Sequence, residues 1–295
     1  MKQILLPIKI VLLLFFTSLS TAQVSEKEKI ALLDLYNSTN GKEWTSAWDL
    51  SKPIDSWYGL SVKDNHVVSI NLHRNNLQGN IPKSIENLIY LKELNFAFNK
   101  LTGELPAEIT SFSQLVVLKL EMNQFKGELP KDYSKLGSLK ELTLFNNSLE
   151  GTIPAGIGAM SSLTLLNLSS NYLTGNLPKS IEEMTSLESL ELFGNKFEGQ
   201  INIDLSELQN LRELVLSYNN FDGVVPESIQ ELSSLKFVQL QGNKFSSFKG
   251  LENLQSEGLL TFDSDNVDLN RKYNKPKFRL SRLADSKFED SRARH

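Results

Sequence analysis

The sequence predicts an α/β solenoid of stacked coils with a parallel β-sheet on the concave side. Three observations support this: a 24-residue period, two apolar residues at spacing two in each period, and an asparagine that returns in eight successive periods. Such a period is typical of repeat proteins, in which one repeat cannot bury its own apolar face and must stack on its neighbours. We call the asparagine position n. It is occupied by Asn75, Asn99, Asn123, Asn147, Asn171, Asn195, Asn219 and Asn243.

The strand of each coil precedes this asparagine. Positions n−5 and n−3 are apolar in all eight coils, as in Leu142 and Leu144. Two apolar residues at spacing two indicate a short strand with one buried face. Positions n−8 and n+2 are also apolar in every coil, so we expect each coil to enclose a continuous apolar interior.

The asparagine stands where the chain turns off the strand. Its side-chain amide has two donors and an acceptor, so we expect it to satisfy backbone groups that the bend leaves unpaired. The eight copies are then a structural ladder, and losing one is expected to cost about 1–3 kcal/mol. A glycine at n+4 and a proline at n+7 accompany most copies, although Asn202 replaces the proline in coil six.

The repeated pattern L-x-x-L-x-L-x-x-N-x-L-x-G-x-L/I-P-x-x-I over residues 67–254 resembles the leucine-rich repeat family. It is most similar to the subtype known from plant receptor ectodomains. The resemblance implies a right-handed solenoid whose convex side is formed by 3-10 helices or irregular chain.

Residues 23–66 resemble the N-terminal cap of that subtype. Asp55 and Val62 stand where the family places two cysteines, so its disulfide is absent here. We expect Trp44, Trp48 and Trp57 to close the end of the first coil instead. Cysteine-free caps of this type resemble those of secreted bacterial repeat proteins, so we expect a bacterial rather than a plant source.

A helix is predicted over residues 25–36 of this cap. Ser25 and Glu28 have the spacing of a capping box. Ile30, Leu33 and Tyr36 fall on one helical face, which we expect to be buried.

The N-terminal segment 1–22 reads as a signal peptide. Lys2 and Lys9 precede a short apolar run and then small residues, the order of a cleavable export signal. A retained anchor is the alternative. The chain has no cysteine, so an anchor formed by a lipid-modified N-terminal cysteine is excluded. We therefore expect a secreted or cell-surface protein that is not a lipoprotein and has no stable membrane insertion after cleavage.

At the other end the repeat becomes irregular. Leu259 and Phe262 occupy positions n−8 and n−5 of a ninth coil, and we interpret residues 255–269 as a half-repeat cap. Residues 270–295 are basic, with nine lysines and arginines against three acidic residues. This tail either folds against the acidic solenoid or stays solvated. Nucleic-acid binding is not expected, because the acidic body would repel phosphate.

Catalytic and metal-binding motifs are not apparent. The three histidines, His66, His73 and His295, have no ligand spacing, and no phosphate-loop, nucleophile-elbow or HExxH motif occurs. We therefore expect no metal, no cofactor and no enzymatic activity.

The candidate binding surface is the concave face of the sheet. Positions n−6, n−4 and n−2 alternate with the buried positions and are expected to point outward, with n−1 at the strand exit. The face has exposed apolar and acidic residues, which favour a ligand with basic and apolar groups. Ser169 lies between Phe145 and Phe193, so we expect a slot there. The candidates are Glu93, Phe98, Glu121, Met122, Glu141, Phe145, Ser169, Glu191, Phe193, Tyr218 and Phe237.

These observations predict a non-catalytic extracellular recognition module that binds a protein or peptide on the concave face. The alternative is a carbohydrate-binding or adhesion protein that uses the same aromatic side chains. Binding on the flanks or the tail, and a purely structural role, also remain open. The sequence does not indicate an oligomeric state.

Overall fold

The computed structural model describes residues 24–254, 259 and 261–273. The predicted signal peptide and the tail from residue 274 onward lie outside the described residues. No helix in the described part of the chain is long and apolar enough to cross a membrane.

The solenoid predicted from the period is confirmed, and its main feature is a ten-stranded sheet. All neighbouring strands are parallel except the first pair, β1 (Leu60–Lys63) and β2 (His66–Asn71), which is antiparallel. The strands that follow repeat at 24-residue register; for example, Leu142 pairs with Leu118 and Leu166. The strands are β1 (Leu60–Lys63), β2 (His66–Asn71), β4 (Glu93–Asn95), β6 (Val117–Lys119), β8 (Glu141–Thr143), β10 (Leu165–Asn167), β12 (Ser189–Glu191), β14 (Glu213–Val215), β16 (Phe237–Gln239) and β17 (Thr261–Asp263).

A second sheet of seven parallel strands follows the asparagine turn, and the sequence pattern did not reveal it. Six of its strands hold one buried residue each, at n+2, and β3 holds none, so they carry no alternating pair of apolar residues. The strands are β3 (Gln78–Gly79), β5 (Lys100–Glu104), β7 (Gln124–Glu128), β9 (Ser148–Gly151), β11 (Tyr172–Gly175), β13 (Lys196–Gly199) and β15 (Asn220–Phe221).

Short 3-10 helices complete most coils, as the resemblance implied. Most begin directly after the repeat proline, whose fixed φ suits the entry into a helical turn. Coil six lacks that proline, and there the side chain of Asp204 accepts a hydrogen bond from the Ser206 N–H instead. The 3-10 helices of the coils are Lys83–Asn87, Ala107–Thr110, Ala155–Ala159, Lys179–Glu183, Leu205–Glu207, Glu227–Glu231 and Lys249–Leu251.

The asparagines connect each coil to the preceding one. The Nδ2 of Asn147 donates to the carbonyl of Leu120, at 3.1 Å, and to that of Leu144, at 3.0 Å. Its Oδ1 accepts from the N–H of Phe125 at 3.1 Å. Equivalent bonds recur at Asn123, Asn171, Asn195 and Asn219, so one side chain per coil satisfies backbone groups of two coils.

The N-terminal helix α1 (Glu26–Ser38) begins with the predicted capping box, which is confirmed. The predicted buried face is confirmed for Tyr36 and in part for Leu33, which packs against the core, but it is wrong for Ile30, which is 52% exposed. The buried stripe also contains Glu28, Ala31, Leu32 and Leu35. Glu28 explains the rotation. Its carboxylate accepts a 3.0 Å hydrogen bond from the N–H of Val67 and lies 3.2 Å from His66 Nδ1, which turns this side of the helix toward β2.

The three tryptophans of the cap form one buried cluster. Trp48 packs edge-on against Trp44 and stacks on Trp57, with ring centroids 4.8 Å apart in both pairs. Each indole N–H donates to a backbone carbonyl: Trp44 to Thr39, Trp48 to Tyr58 and Trp57 to Lys52. The cluster is continuous with the apolar core of the coils.

The C-terminal end carries β17, which is the strand of a ninth coil and the last strand of the sheet, and a short helix, α2 (Val267–Tyr273). Tyr273 is buried, contacts the ring of Phe262 at 4.9 Å and donates from its hydroxyl to the carbonyl of Leu251. The boundary that we predicted between cap and tail, after residue 269, therefore falls inside α2, and the cap extends at least to residue 273. The sequence obscured this because the basic composition begins at Arg271, within the packed helix.

Candidate functional site

The candidate site is the solvent side of the ten-stranded sheet, which we call the open face. It consists of positions n−6, n−4, n−2 and n−1 of the successive coils. The predicted alternation holds in β16, where Val238 is buried in the core and its neighbours Phe237 and Gln239 lie on the other side.

The open face is more closely packed than the pattern predicted. Three of the eleven candidates, Glu121, Ser169 and Glu191, are buried. The other eight are accessible in part or, for Tyr218, largely. The reason is the spacing of the strands: at about 4.8 Å, side chains of adjacent coils touch and cover one another.

The expected slot between Phe145 and Phe193 is not open. Ser169, its predicted floor, is 0% exposed, and both flanking rings are half-buried. The Oγ atom of Ser169 has no hydrogen-bond partner, and neither has that of Ser217, which is equally buried two coils further on. This part of the face therefore offers aromatic surface rather than a cleft.

The carboxylates of the face form hydrogen bonds to their neighbours. Thr143 donates to Glu121, at 2.5 Å, and Lys119 pairs with Glu141, at 2.8 Å. Ser69 donates to Glu93 at 3.0 Å. Further along, Asn167 Nδ2 donates to Glu191 at 2.8 Å. Burial raises the pKa of the Glu121 carboxyl, and the hydrogen bond from Thr143 opposes that rise.

The strand exit, position n−1, has a left-handed backbone in all eight repeats. Coils six and eight have Gly194 and Gly242 there, whereas Phe98 has φ 57°, Met122 φ 55° and Tyr218 φ 55°. This conformation costs a residue with a Cβ atom about 1–2 kcal/mol. Tyr218 is nevertheless 55% exposed, and its ring packs edge-on against Phe193 with centroids 5.3 Å apart.

Coils one to three carry the basic residues of the face. The guanidinium of Arg74 lies 4.7 Å from the ring centroid of Phe98, and His73 contacts the same ring edge-on at 5.1 Å. The pKa of His73 is lowered, first by burial and then by the positive charges of Arg74 and Lys119.

Coils six to nine carry no lysine or arginine at the described positions of the open face, unlike coils one to three. Sequence reasoning missed part of this region. Gln239 and Gln241, in coil eight, each have a buried side-chain carbonyl oxygen without a hydrogen-bond partner. Asp263 and Asp265 occupy the equivalent positions of coil nine. The two aspartates were overlooked because coil nine lacks the marker asparagine, although Phe262 already indicated its register.

A metal centre is not evident on this surface. Within residues 24–254, 259 and 261–273, no group of three or more His, Cys, Asp or Glu side chains could hold a metal ion.

Comparison with known proteins defines the class. A family model described as a leucine-rich repeat region matches residues 120–273, and one described as Leucine Rich Repeat matches residues 66–88 and 90–112. The chain therefore belongs to the leucine-rich repeat family.

Individual relatives are similar over parts of their length. Protein STRUBBELIG-RECEPTOR FAMILY 2 from Arabidopsis thaliana is 34% identical over 82 residues, which are 27% of this chain and 11% of that protein. The crystal structure of PEPR1–AtPEP1 has a TM-score of 0.70 at 27% identity and covers 75% of this chain and 32% of its own. The ectodomain of the Arabidopsis receptor kinase HAESA, in complex with an extended IDA peptide hormone ligand, has a TM-score of 0.63 at 26% identity. That match covers 81% of this chain and 45% of the HAESA chain, so this chain spans less than half of each of these relatives.

Two expectations gain no support from these relatives. The proteins named with an organism are from Arabidopsis, so the comparisons do not support the bacterial source that we expected from the cap. The HAESA ectodomain is in complex with a peptide hormone, and the carbohydrate-binding alternative gains no support from these relatives.

Proposed function

We propose that this chain is a non-catalytic extracellular recognition module, secreted or displayed at a cell surface, that binds a protein or peptide ligand on the open face. The observation that carries the proposal is Tyr218. Its large side chain is mostly exposed on a left-handed backbone, where the equivalent positions of both adjacent coils have glycine.

The left-handed backbone is common to position n−1 of all eight repeats, so Tyr218 is distinguished by the exposure of its side chain. The ring packs edge-on against Phe193 and is still 55% exposed. Exposed aromatic rings are favoured anchors of protein interfaces.

The neighbouring surface is compatible with such a role. Phe193, Phe237, Phe98 and Met122 are partly exposed on the same face. The solved relatives with peptide ligands support the class of ligand, because their folds match most of this chain. Together these observations favour an extended peptide or a protein segment over a small molecule.

The proposal is tested by panning displayed random peptides against the full chain. We expect the selected peptides to bind the parent and to lose at least tenfold in affinity to a Tyr218→Gly variant, since a central aromatic anchor contributes roughly 2 kcal/mol or more. Tyr172→Ser is the matched control, because Tyr172 is 52% exposed on the second sheet, in β11. Equal loss in both variants, or no loss in either, would move the site away from the open face.

A further inference from the structure

The C-terminal end of the second sheet is incompletely covered. Position n+2 holds a side chain that is 0% exposed in each of the first seven coils, whereas its counterpart in coil eight, Phe245, is half-buried. Phe248 packs edge-on against Phe245, with ring centroids 6.0 Å apart, and is also half-buried. Two phenylalanines at this end therefore keep part of their apolar surface in water.

Phe245 is the last member of a row of stacked rings. Phe197 lies 5.9 Å from Phe221, and Phe221 lies 6.4 Å from Phe245, with interplanar angles of 10° and 8°. In coil nine the corresponding position, Leu269, belongs to α2 rather than to a strand of the second sheet. Since the row stops at coil eight, the uncovered surface of Phe245 faces the C-terminal end.

The backbone at this end has a free edge. The carbonyl of Phe221 accepts from the N–H of Lys244 at 2.7 Å, and that of Gly223 accepts from the N–H of Ser246 at 2.7 Å, so this segment of coil eight pairs with the coil before it. On its other side, no donor among the described residues reaches the carbonyl of Phe245. A free sheet edge with apolar side chains readily pairs with another strand.

The chain leaves the described structure close to this edge. Helix α2 crosses the end of coil eight: Asp265, just before it, accepts from the N–H of Asn243, and Tyr273 at its end donates to the carbonyl of Leu251. The N–H of Leu251 in turn donates to the carbonyl of Phe248 at 2.9 Å. The next residue of the chain therefore starts within one tyrosine side chain and one 3-10 turn of Phe248.

The sequence that follows has the pattern of an edge strand. Residues 277–281 alternate as Lys-Phe-Arg-Leu-Ser, so Phe278 and Leu280 share one face of an extended segment. Pro276 precedes it directly, and proline is tolerated at the start of a strand. Phe278 follows Tyr273 by five residues, which span up to about 17 Å when extended, so it can reach the two half-buried rings. The basic side chains fall on the other face, where they remain hydrated.

From these observations we propose that residues 277–281 dock on the free edge of coil eight and cover the rings of Phe245 and Phe248. This segment lies outside the described residues. Phe278 and Leu280 supply the missing apolar cover, and the docked strand protects the edge from pairing with another chain. The contact lies on the second sheet and leaves the open face free, so the inference does not depend on the proposed function.

Disulfide formation tests the docking directly, because the chain has no cysteine of its own. In a Ser246→Cys, Arg279→Cys variant, both cysteines lie on the outward side of adjacent strands, at a spacing that a disulfide can bridge. The comparison variant adds Phe278→Ser and Leu280→Ser, so its tail is equally tethered but has no apolar face. Under mild oxidation of dilute protein, we expect the intramolecular disulfide to form at least about tenfold faster in the first variant.

The matched control carries the same two cysteines and Phe288→Ser. Phe288 lies in the tail beyond the docked segment, so the rate should equal that of the first variant. Rates that agree within about twofold with and without Phe278 and Leu280 would overturn the inference. Disulfide-linked dimers as the main product would also overturn it, because they would assign the edge to a second copy of the chain. Circular dichroism verifies that each variant is folded.

Limited trypsin digestion gives an independent readout on the full chain without introduced cysteines. Cleavage after Arg282 requires the protease to engage the docked segment. It should be at least about fivefold slower in the parent than in a Phe278→Ser, Leu280→Ser variant. Cleavage after Arg292 is the internal reference and should be equal in both proteins. Equal cleavage after Arg282 in the two proteins would contradict the docking.

Discussion

Thr143 donates a 2.5 Å hydrogen bond to Oε2 of Glu121 across two neighbouring coils of the open face. The carboxyl group of Glu121 is buried, and the positive charge of Lys119 acts on it as well. These influences shift the pKa of Glu121 in opposite directions. Burial raises the pKa and is the largest influence, whereas the hydrogen bond lowers it.

Glu121 should make stability depend on pH. The pKa of Glu121 in the folded state is raised above its value in the unfolded state. Between these two pKa values the folded state therefore binds more protons than the unfolded state. The free energy of unfolding consequently falls as pH rises through that window. The window begins near the ordinary glutamate pKa of about 4.3. A Glu121→Gln variant keeps an acceptor for Thr143 and cannot ionise. Urea unfolding at a series of pH values should show the free energy of unfolding of the variant rising relative to that of the parent as pH rises. A fall of the variant relative to the parent would contradict this.

The asparagine ladder should be sensitive to a single deletion. Asn147→Ala removes three donated bonds and one accepted bond. It leaves the Leu120 carbonyl and the Phe125 N–H without these partners. We expect a loss of about 1–3 kcal/mol in the free energy of unfolding. Asn176→Ala, at an exposed position, serves as the control and should change it by less than about 0.5 kcal/mol. Similar losses in both variants would argue against a specific role of the ladder.

Gly156 should be intolerant of a side chain. A Cβ atom at this position would stand 2.2 Å from the backbone carbonyl oxygen of Lys131 in the preceding coil. Gly156→Ala must push the two coils apart, and we expect a loss of about 1–3 kcal/mol. Gly137→Ala is the control, because nothing lies within 4 Å of its Cβ position, and it should be neutral or stabilising by up to about 1 kcal/mol. The two variants are compared with the parent by thermal unfolding. A Gly156→Ala protein as stable as the parent would contradict the close contact.

Tyr218→Gly should have little effect on stability. The variant loses the edge contact with Phe193, worth about 0.5–1.5 kcal/mol, and relieves a left-handed backbone strain of about 1–2 kcal/mol. We expect a net change within about 1 kcal/mol, measured by chemical unfolding. A loss well above that would mean that the ring stabilises the fold, and the argument for a binding role would fail.

The coil could be predicted almost completely from sequence, because each of its constraints is local. Leu142 and Leu144 mark the buried side of a strand by their spacing, and Asn147 marks the turn that follows. The second sheet could not be predicted in this way. Strands such as β9 expose all but one side chain, and they form only because the stacked turns bring backbone donors and acceptors of adjacent coils together.

The candidate site was predictable in outline only. The alternation around Val238 identified which residues share the open face, including Phe193 and Tyr218. Sequence could not show that Ser169 and Glu191 are covered, since coverage depends on how side chains of adjacent coils lean over one another. Likewise Ile30 satisfied the helical period and is exposed, because Glu28 fixes the rotation of α1 through a contact with Val67 that is distant in sequence.

The sequence by itself determined the period, the register of the coils, the asparagine turn and the identity of the residues facing each way, because these follow from spacing along the chain. The tertiary structure alone decided which outward residues are accessible, the strain at Tyr218 and the unpartnered carbonyl of Gln239. These properties arise between neighbouring coils, where side chains 24 residues apart compete for the same space and the same hydrogen bonds.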